Sequence, residues 1–161
     1  MEIERRLGRP VRKSFVADLR HATAAAFEAD LRIVEGVHEV LAAINIPSCV
    51  ASNGPMSKLQ HTLGLTNPLS HFEGRLFSAY EVGSWKPDPG LFLHTARTLG
   101  VEPSRCIVIE DSLPGIIAAN AAGMRVLGFT DGNAEAEATL GVLNATLFSS
   151  MRDLPALLDR V

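Results

Sequence analysis

Only two cysteines, Cys49 and Cys106, occur in the 161 residues, too few for a disulfide framework and outside any metal-ligand spacing. Both fall within apolar, strand-like runs, where a free thiol behaves as a small buried hydrophobe. Uninterrupted apolar stretches of membrane-spanning length are absent, and the charged N-terminus has no signal-peptide hydrophobic region. A membrane protein is therefore not expected, and a cytoplasmic location is. There is no positive surplus either, the net charge being −3. Its Lys and Arg are scattered apart from Arg5, Arg6, Arg9, Arg12 and Lys13, a cluster that reads as a solvated face or a loop between helices, so a nucleic-acid partner has no broad electrostatic support. The histidines, His21, His38, His61, His71 and His94, show no ligand spacing, and neither repeats nor low-complexity tracts occur.

What remains is the composition of an ordinary globular chain, 47% apolar and 20% charged, long enough to bury a core. Up to about Leu31 the residues favour helix and offer no strand, with Ala22, Ala24, Ala25, Ala26 and Ala29 around Phe27. The pattern changes near Val34-Glu35-Gly36, which divides a helical segment, 1–34, from an α/β segment, 35–161. Beyond it, helical periodicity alternates with short apolar runs, the signature of βαβ units and a mostly parallel, doubly wound sheet. Strands are expected at Ser48 to Ser52, Arg75 to Ala79, Arg105 to Glu110, Arg125 to Phe129 and Ala145 to Phe148. Helices are expected over Val37 to Ile44, from Pro55 to about Leu63 with Gly64 as C-cap, and from Pro87-Asp88-Pro89 to Gly100. Two more are expected from Pro114 to Ala122, stopped by Gly123, and around Leu154, Leu157 and Leu158.

Three polar features lie just past expected strand ends, and in a parallel sheet those ends share one side, where α/β proteins bind their ligands. They are Ser52-Asn53-Gly54, then Lys86 within Ser84-Trp85-Lys86-Pro87-Asp88-Pro89, and Glu110-Asp111-Ser112. A hydroxyl beside free backbone N–H groups, a lysine and a carboxylate pair suit a phosphate bridged to Mg²⁺. Taken singly, each has a plainer reading. Asp111 or Ser112 could N-cap the next helix, Ser52 or Asn53 the helix after Pro55, and Lys86 could be an ordinary loop residue.

Together and in order, Val50-Ala51-Ser52-Asn53-Gly54, Lys86-Pro87-Asp88-Pro89 and Val108-Ile109-Glu110-Asp111-Ser112-Leu113-Pro114-Gly115 through Ala121-Ala122-Gly123-Met124 resemble the haloacid dehalogenase-like (HAD) hydrolases. Within that family the likeness is to the branch holding β-phosphoglucomutase and sugar-phosphate phosphatases, and it spans roughly Val34 to Phe129. The resemblance implies a Rossmann-like core and a phosphatase or phosphomutase acting with Mg²⁺ on a small phosphorylated metabolite such as a sugar phosphate. Ser52 would hydrogen-bond the transferring phosphoryl group with Asn53 and Gly54 beside it. Lys86 would steady the negative charge, Asp111 would bind Mg²⁺ directly, and Glu110 would bind it directly or through water. The segment 1–34 would be part of the α-helical cap that such enzymes close over their substrate.

One family motif is missing. The nucleophile and general acid of these enzymes are two aspartates in an Asp-x-Asp motif, whereas Asp18, Asp30, Asp88, Asp111, Asp131, Asp153 and Asp159 include no pair separated by one residue. The expectation is a chain that starts within the cap and lacks the first strand of its sheet. It would turn over little or no substrate, and the surface left by that strand would favour self-association. A catalytically dead phosphate-binding or protein-interaction module is the alternative. A receiver-like domain, which also uses acidic residues, a hydroxyl and a lysine at strand ends, is disfavoured because its acidic pair should come early in the chain.

Overall fold

A computed structural model of the protein describes residues 2–159. The chain forms two units, one ending at Arg32 and the other beginning at Ile33. The first holds helices α1 (Glu2–Leu7) and α2 (Phe15–Asp30). Between them the Val11 amide donates to Glu4 Oε1 at 3.2 Å, and Arg12 pairs with Asp18 at 2.8 Å.

The second unit runs α3 (Val37–Ala43), β1 (Val50–Ser52), α4 (Met56–Leu65), β2 (Leu76–Ser78), α5 (Ala79–Val82), α6 (Gly90–Leu99) and β3 (Ile107–Glu110). It continues with α7 (Leu113–Ala121), β4 (Arg125–Phe129), α8 (Ala134–Leu140), β5 (Thr146–Phe148) and α9 (Leu154–Leu158). All strand pairs are parallel. β1 lies on β2 with Ala51 opposite Phe77, while β4 is flanked by β3, with Ile109 opposite Leu127, and by β5, with Phe129 opposite Phe148.

Alternation along β4 explains the helical layers. Val126 faces a core built with Val108, Phe92 and Ala96 of α6, Ile116 and Ala119 of α7 and Leu140 of α8. Leu127 and Phe129 face the other side and pack with Val40 of α3, Phe148 of β5 and Leu154 of α9. Helices thus cover both faces of the three-stranded sheet, as the doubly wound pattern requires. Around the β1–β2 pair a third cluster unites Phe77, Ala79 and Leu91.

The backbone ladder comes in two pieces, ordered β1-β2 and β3-β4-β5. The side-chain core is nevertheless continuous, because Ala51 of β1 packs against the clusters on both sides of the break. Of the helices foreseen, α4 differs in its stop: it runs through Gly64 to Leu65, and Asn67 rather than Gly64 takes the left-handed conformation, with φ 71°. Asparagine is the residue after glycine that adopts this conformation most readily. Helices α5 and α8 are not foreseen at all. No helix among the described residues is long and apolar enough to cross a membrane.

Candidate active site at the carboxyl ends of the strands

β1 ends in Ser52, whose Oγ accepts the Gly54 amide at 3.1 Å, forming a tight turn before α4. The fully buried Ser78, at the end of β2, donates its hydroxyl to the Gly54 carbonyl at 2.8 Å. The carboxyl ends of the two paired strands are thus tied by a side chain as well as by the ladder. Asn53 then reaches across 33 residues of sequence. Its Oδ1 accepts the Lys86 amide at 2.8 Å and its Nδ2 donates to the Lys86 carbonyl at 3.1 Å.

That double contact holds the backbone of Lys86 while the side chain turns inward, only 10% exposed. The ammonium donates to the Ala51 carbonyl at 3.0 Å, pairs with Glu110 Oε1, and sits 4.8 Å from the centre of the Phe92 ring. Lys86 therefore links β1 to β3 at the place where no backbone ladder joins them. The other end of its loop is fixed by Asp88, which accepts the Ser84 hydroxyl at 2.6 Å and the Gly90 amide at 2.7 Å. The Ser84 hydroxyl, and after it the Gly90 amide, hold the Asp88 carboxyl below its ordinary range.

Glu110 is 8% exposed, and both its oxygens have partners. Oε1 takes Lys86, and Oε2 accepts the Ser112 hydroxyl at 2.8 Å. Ser112 also accepts the Gly115 amide at 3.2 Å, so it is the N-cap of α7. Gly115 is required here because a Cβ would overlap the Glu110 carboxylate. With capping assigned to Ser112, Asp111 is left exposed, and among the described residues its carboxylate has no hydrogen bond or ion pair.

The sequence-derived residues thus fall into two connected groups: Ser52-Asn53-Gly54 with Lys86, and Lys86 with Glu110-Asp111-Ser112. No cluster of three or more His, Cys, Asp or Glu side chains able to hold a metal exists among the described residues. The donor set is still suited to Mg²⁺ in one respect. Asp111 offers an unpaired carboxylate at a strand end, and this ion is commonly held by one or two carboxylates, with phosphate oxygens and waters completing the shell. Glu110, by contrast, has both oxygens engaged by protein groups. Sequence reasoning missed three contacts: the hold of Asn53 on the Lys86 backbone, the Ser78 tie and the grip of Ser112 on Glu110. The last could be inferred from a serine two residues after a glutamate at a helix start. The first two join residues 33 and 24 positions apart and leave no local signal.

A parallel α/β core with a hydroxyl, an inward lysine and two adjacent carboxylates at its strand ends defines a protein of the class that handles anionic ligands at that edge. A family model described as haloacid dehalogenase-like hydrolase matches residues 3–123, and the chain belongs to that family. A 6-phosphogluconate phosphatase of Escherichia coli strain K12 is 42% identical over 110 residues, covering 68% of this chain and 50% of that protein. The chain therefore spans about half the length of that curated relative. Among solved structures, a conserved haloacid dehalogenase-like protein of Agrobacterium tumefaciens strain C58 matches with a TM-score of 0.87 at 33% identity, over 99% of this chain and 74% of that one. A HAD family hydrolase of Deinococcus radiodurans R1, solved with bound phosphate and sodium, matches with a TM-score of 0.76 at 27% identity, over 98% and 72%.

Proposed function

We propose that this chain carries the phosphate- and Mg²⁺-binding part of a phosphatase acting on a small phosphorylated metabolite such as a sugar phosphate. The observation that carries the reading is the buried Lys86 ammonium, bonded to the Ala51 carbonyl and to Glu110, whose neighbour in sequence, Asp111, is exposed and unpaired. The name of the 42%-identical relative, 6-phosphogluconate phosphatase, supports the substrate class. The two free cysteines suit a cytoplasmic location.

In this reading Ser52 donates its hydroxyl to a phosphoryl oxygen, and the backbone amides around Gly54 at the start of α4 receive the others. Lys86 supplies positive charge close to them, and Glu110 keeps that ammonium oriented. Asp111 would hold Mg²⁺, which when bound supplies charge neutralisation at the phosphoryl oxygens. The helices of the first unit belong to a cap. The sequence has no two aspartates separated by one residue, so the chain by itself brings no Asp-x-Asp pair to serve as nucleophile and general acid. That absence favours a second reading, a phosphate-binding module without turnover.

Titration calorimetry with inorganic phosphate tests the binding site. Phosphate should bind more tightly with Mg²⁺ present than absent, and Asp111→Asn should abolish the difference while leaving the melting temperature unchanged. Binding indifferent to Mg²⁺, or a Mg²⁺ effect that survives in Asp111→Asn, would overturn the assignment. Hydrolysis of p-nitrophenyl phosphate tests the lack of a nucleophile that both readings share: the chain alone should give no rate above that of its Asp111→Asn variant.

A further inference from the structure

The residues that end β1 touch both ends of Lys86. The Ala51 carbonyl accepts the ammonium, the tip of the side chain, at 3.0 Å. Asn53 holds the root, taking the Lys86 amide on Oδ1 at 2.8 Å and donating Nδ2 to the Lys86 carbonyl at 3.1 Å. Between these two contacts stands Ser52, whose hydroxyl is assigned above to a phosphoryl oxygen. The placing of the Lys86 ammonium relative to that hydroxyl is therefore set from one short stretch of backbone, residues 51–53. Strand pairing does not supply the same alignment. Lys86 lies in a loop beyond β2 and α5, and β3, which carries its ionic partner Glu110, shares no ladder with β1. Asp88 braces the loop within itself, through Ser84 and Gly90, and does not tie it to β1.

A local role does not account for Asn53. The N-cap of α4 is Pro55, with no side-chain cap bond among the described residues, so the amide does not serve that helix. Asn53 is also exposed, where water competes for the same groups and a hydrogen-bonding side chain adds little to stability. Both polar atoms are nevertheless engaged by one residue 33 positions away. What that contact controls is direction. An ammonium has three N–H donors, of which Ala51 and Glu110 take two, while the Phe92 ring stands 4.8 Å away. The aim of the third donor follows from where the root of the side chain is pinned.

We propose that Asn53 is a positioning residue for Lys86, holding the lysine loop in register with β1 so that the ammonium and the Ser52 hydroxyl act on the same anion. This rests on the phosphate-site reading above and gives Asn53 an indirect part in it, through Lys86 and not through contact with the anion.

The test compares the full chain with its Asn53→Leu variant, which keeps the side-chain volume and removes both polar atoms. Each is titrated calorimetrically with inorganic phosphate in the presence of Mg²⁺. Phosphate should bind about tenfold more weakly to the variant, the order of one charge-assisted hydrogen bond lost, while the thermal midpoint stays within about 3 °C of the parent. Two local readouts, taken without phosphate, separate positioning from a general loosening of the fold. Hydrogen exchange of the Lys86 amide should quicken in the variant, and the nuclear magnetic resonance signal of the Lys86 ε-carbon should shift. Parental phosphate affinity in Asn53→Leu refutes the positioning role and leaves the phosphate site standing. A loss of affinity with the Lys86 amide and ε-carbon unchanged also refutes it, because Asn53 would then act on the anion directly. If the parent chain binds no phosphate, the phosphate-site reading fails, and the positioning role, with no anion to act on, fails with it.

Discussion

Lys86 and Glu110 form a pair with both side chains about nine-tenths buried, and each is the other's only ionic partner among the described residues. Taking two charges out of water is costly, so such a pair adds little net stability, but removing one member leaves the other buried without its counter-charge. Lys86→Ala would leave Glu110 with the Ser112 hydroxyl alone and strip the Ala51 carbonyl of its donor. The expected cost is about 3–5 kcal/mol in urea unfolding. The double variant Lys86→Met with Glu110→Gln, which removes both charges, should recover more than half of the loss. A single variant as stable as the parent chain would mean that the pair is not buried in solution. The candidate residues themselves were legible because each lies at a strand end beside a turn. Their pairing was not. The sequence assigned Glu110 to a cation, and nothing local to residue 110 shows that Lys86, 24 residues away, occupies one of its oxygens.

At the level of elements, the two sheet fragments should differ in how readily they open. β4 is paired on both sides and its Val126 and Leu127 are 3% and 2% exposed, whereas β1 pairs only with β2 and its residues are half-buried. Native-state hydrogen exchange should find the bonded amides of β4 protected at least roughly tenfold more than those of β1, because exchange through local opening follows pairing and burial. Equal protection would mean that β1 has a second pairing partner in solution. The strands were readable because each is a short apolar run between turn residues, and β4 matched its expected bounds of Arg125 to Phe129. Helix α8 escaped notice although Asn133 caps it, accepting the Glu135 and Ala136 amides at 2.9 and 3.0 Å. Its Ala-Glu alternation hides the single strongly buried contact, Leu140. The four-residue α5 is too short to show a helical period and exists because Ser78 caps it and Gly83, with φ 77°, ends it. The break between β1 and β3 has no signature in either strand, since pairing is a property of two segments that meet only in the fold.

For the whole molecule, the apolar clusters decide which part can fold by itself. All three consist of residues from Val40 onward, so they lie within the unit that begins at Ile33. That unit closes on itself through its own ends. Gly36, with φ 89°, starts α3 where any larger residue would crowd Arg152 and Met151, and Val40 of the same helix packs with Leu154 of α9. The first unit offers no comparable core, since α2 has no buried residue along its 16 positions. Isolated helices of that length are marginal in water, whereas a segment with buried clusters on both faces of a sheet unfolds cooperatively. Residues 33–161 expressed alone should therefore show a single urea transition seen identically by far-ultraviolet circular dichroism and Trp85 fluorescence, with a slope of about 1–3 kcal/mol/M. A peptide of residues 2–32 should show weak helicity that fades smoothly on heating. Non-coincident transitions in the larger fragment would mean that its three clusters do not act as one core. The place to look first would then be the break between β1 and β3, which Ala51 packing, the Lys86 bonds and helix α6 bridge without a backbone ladder.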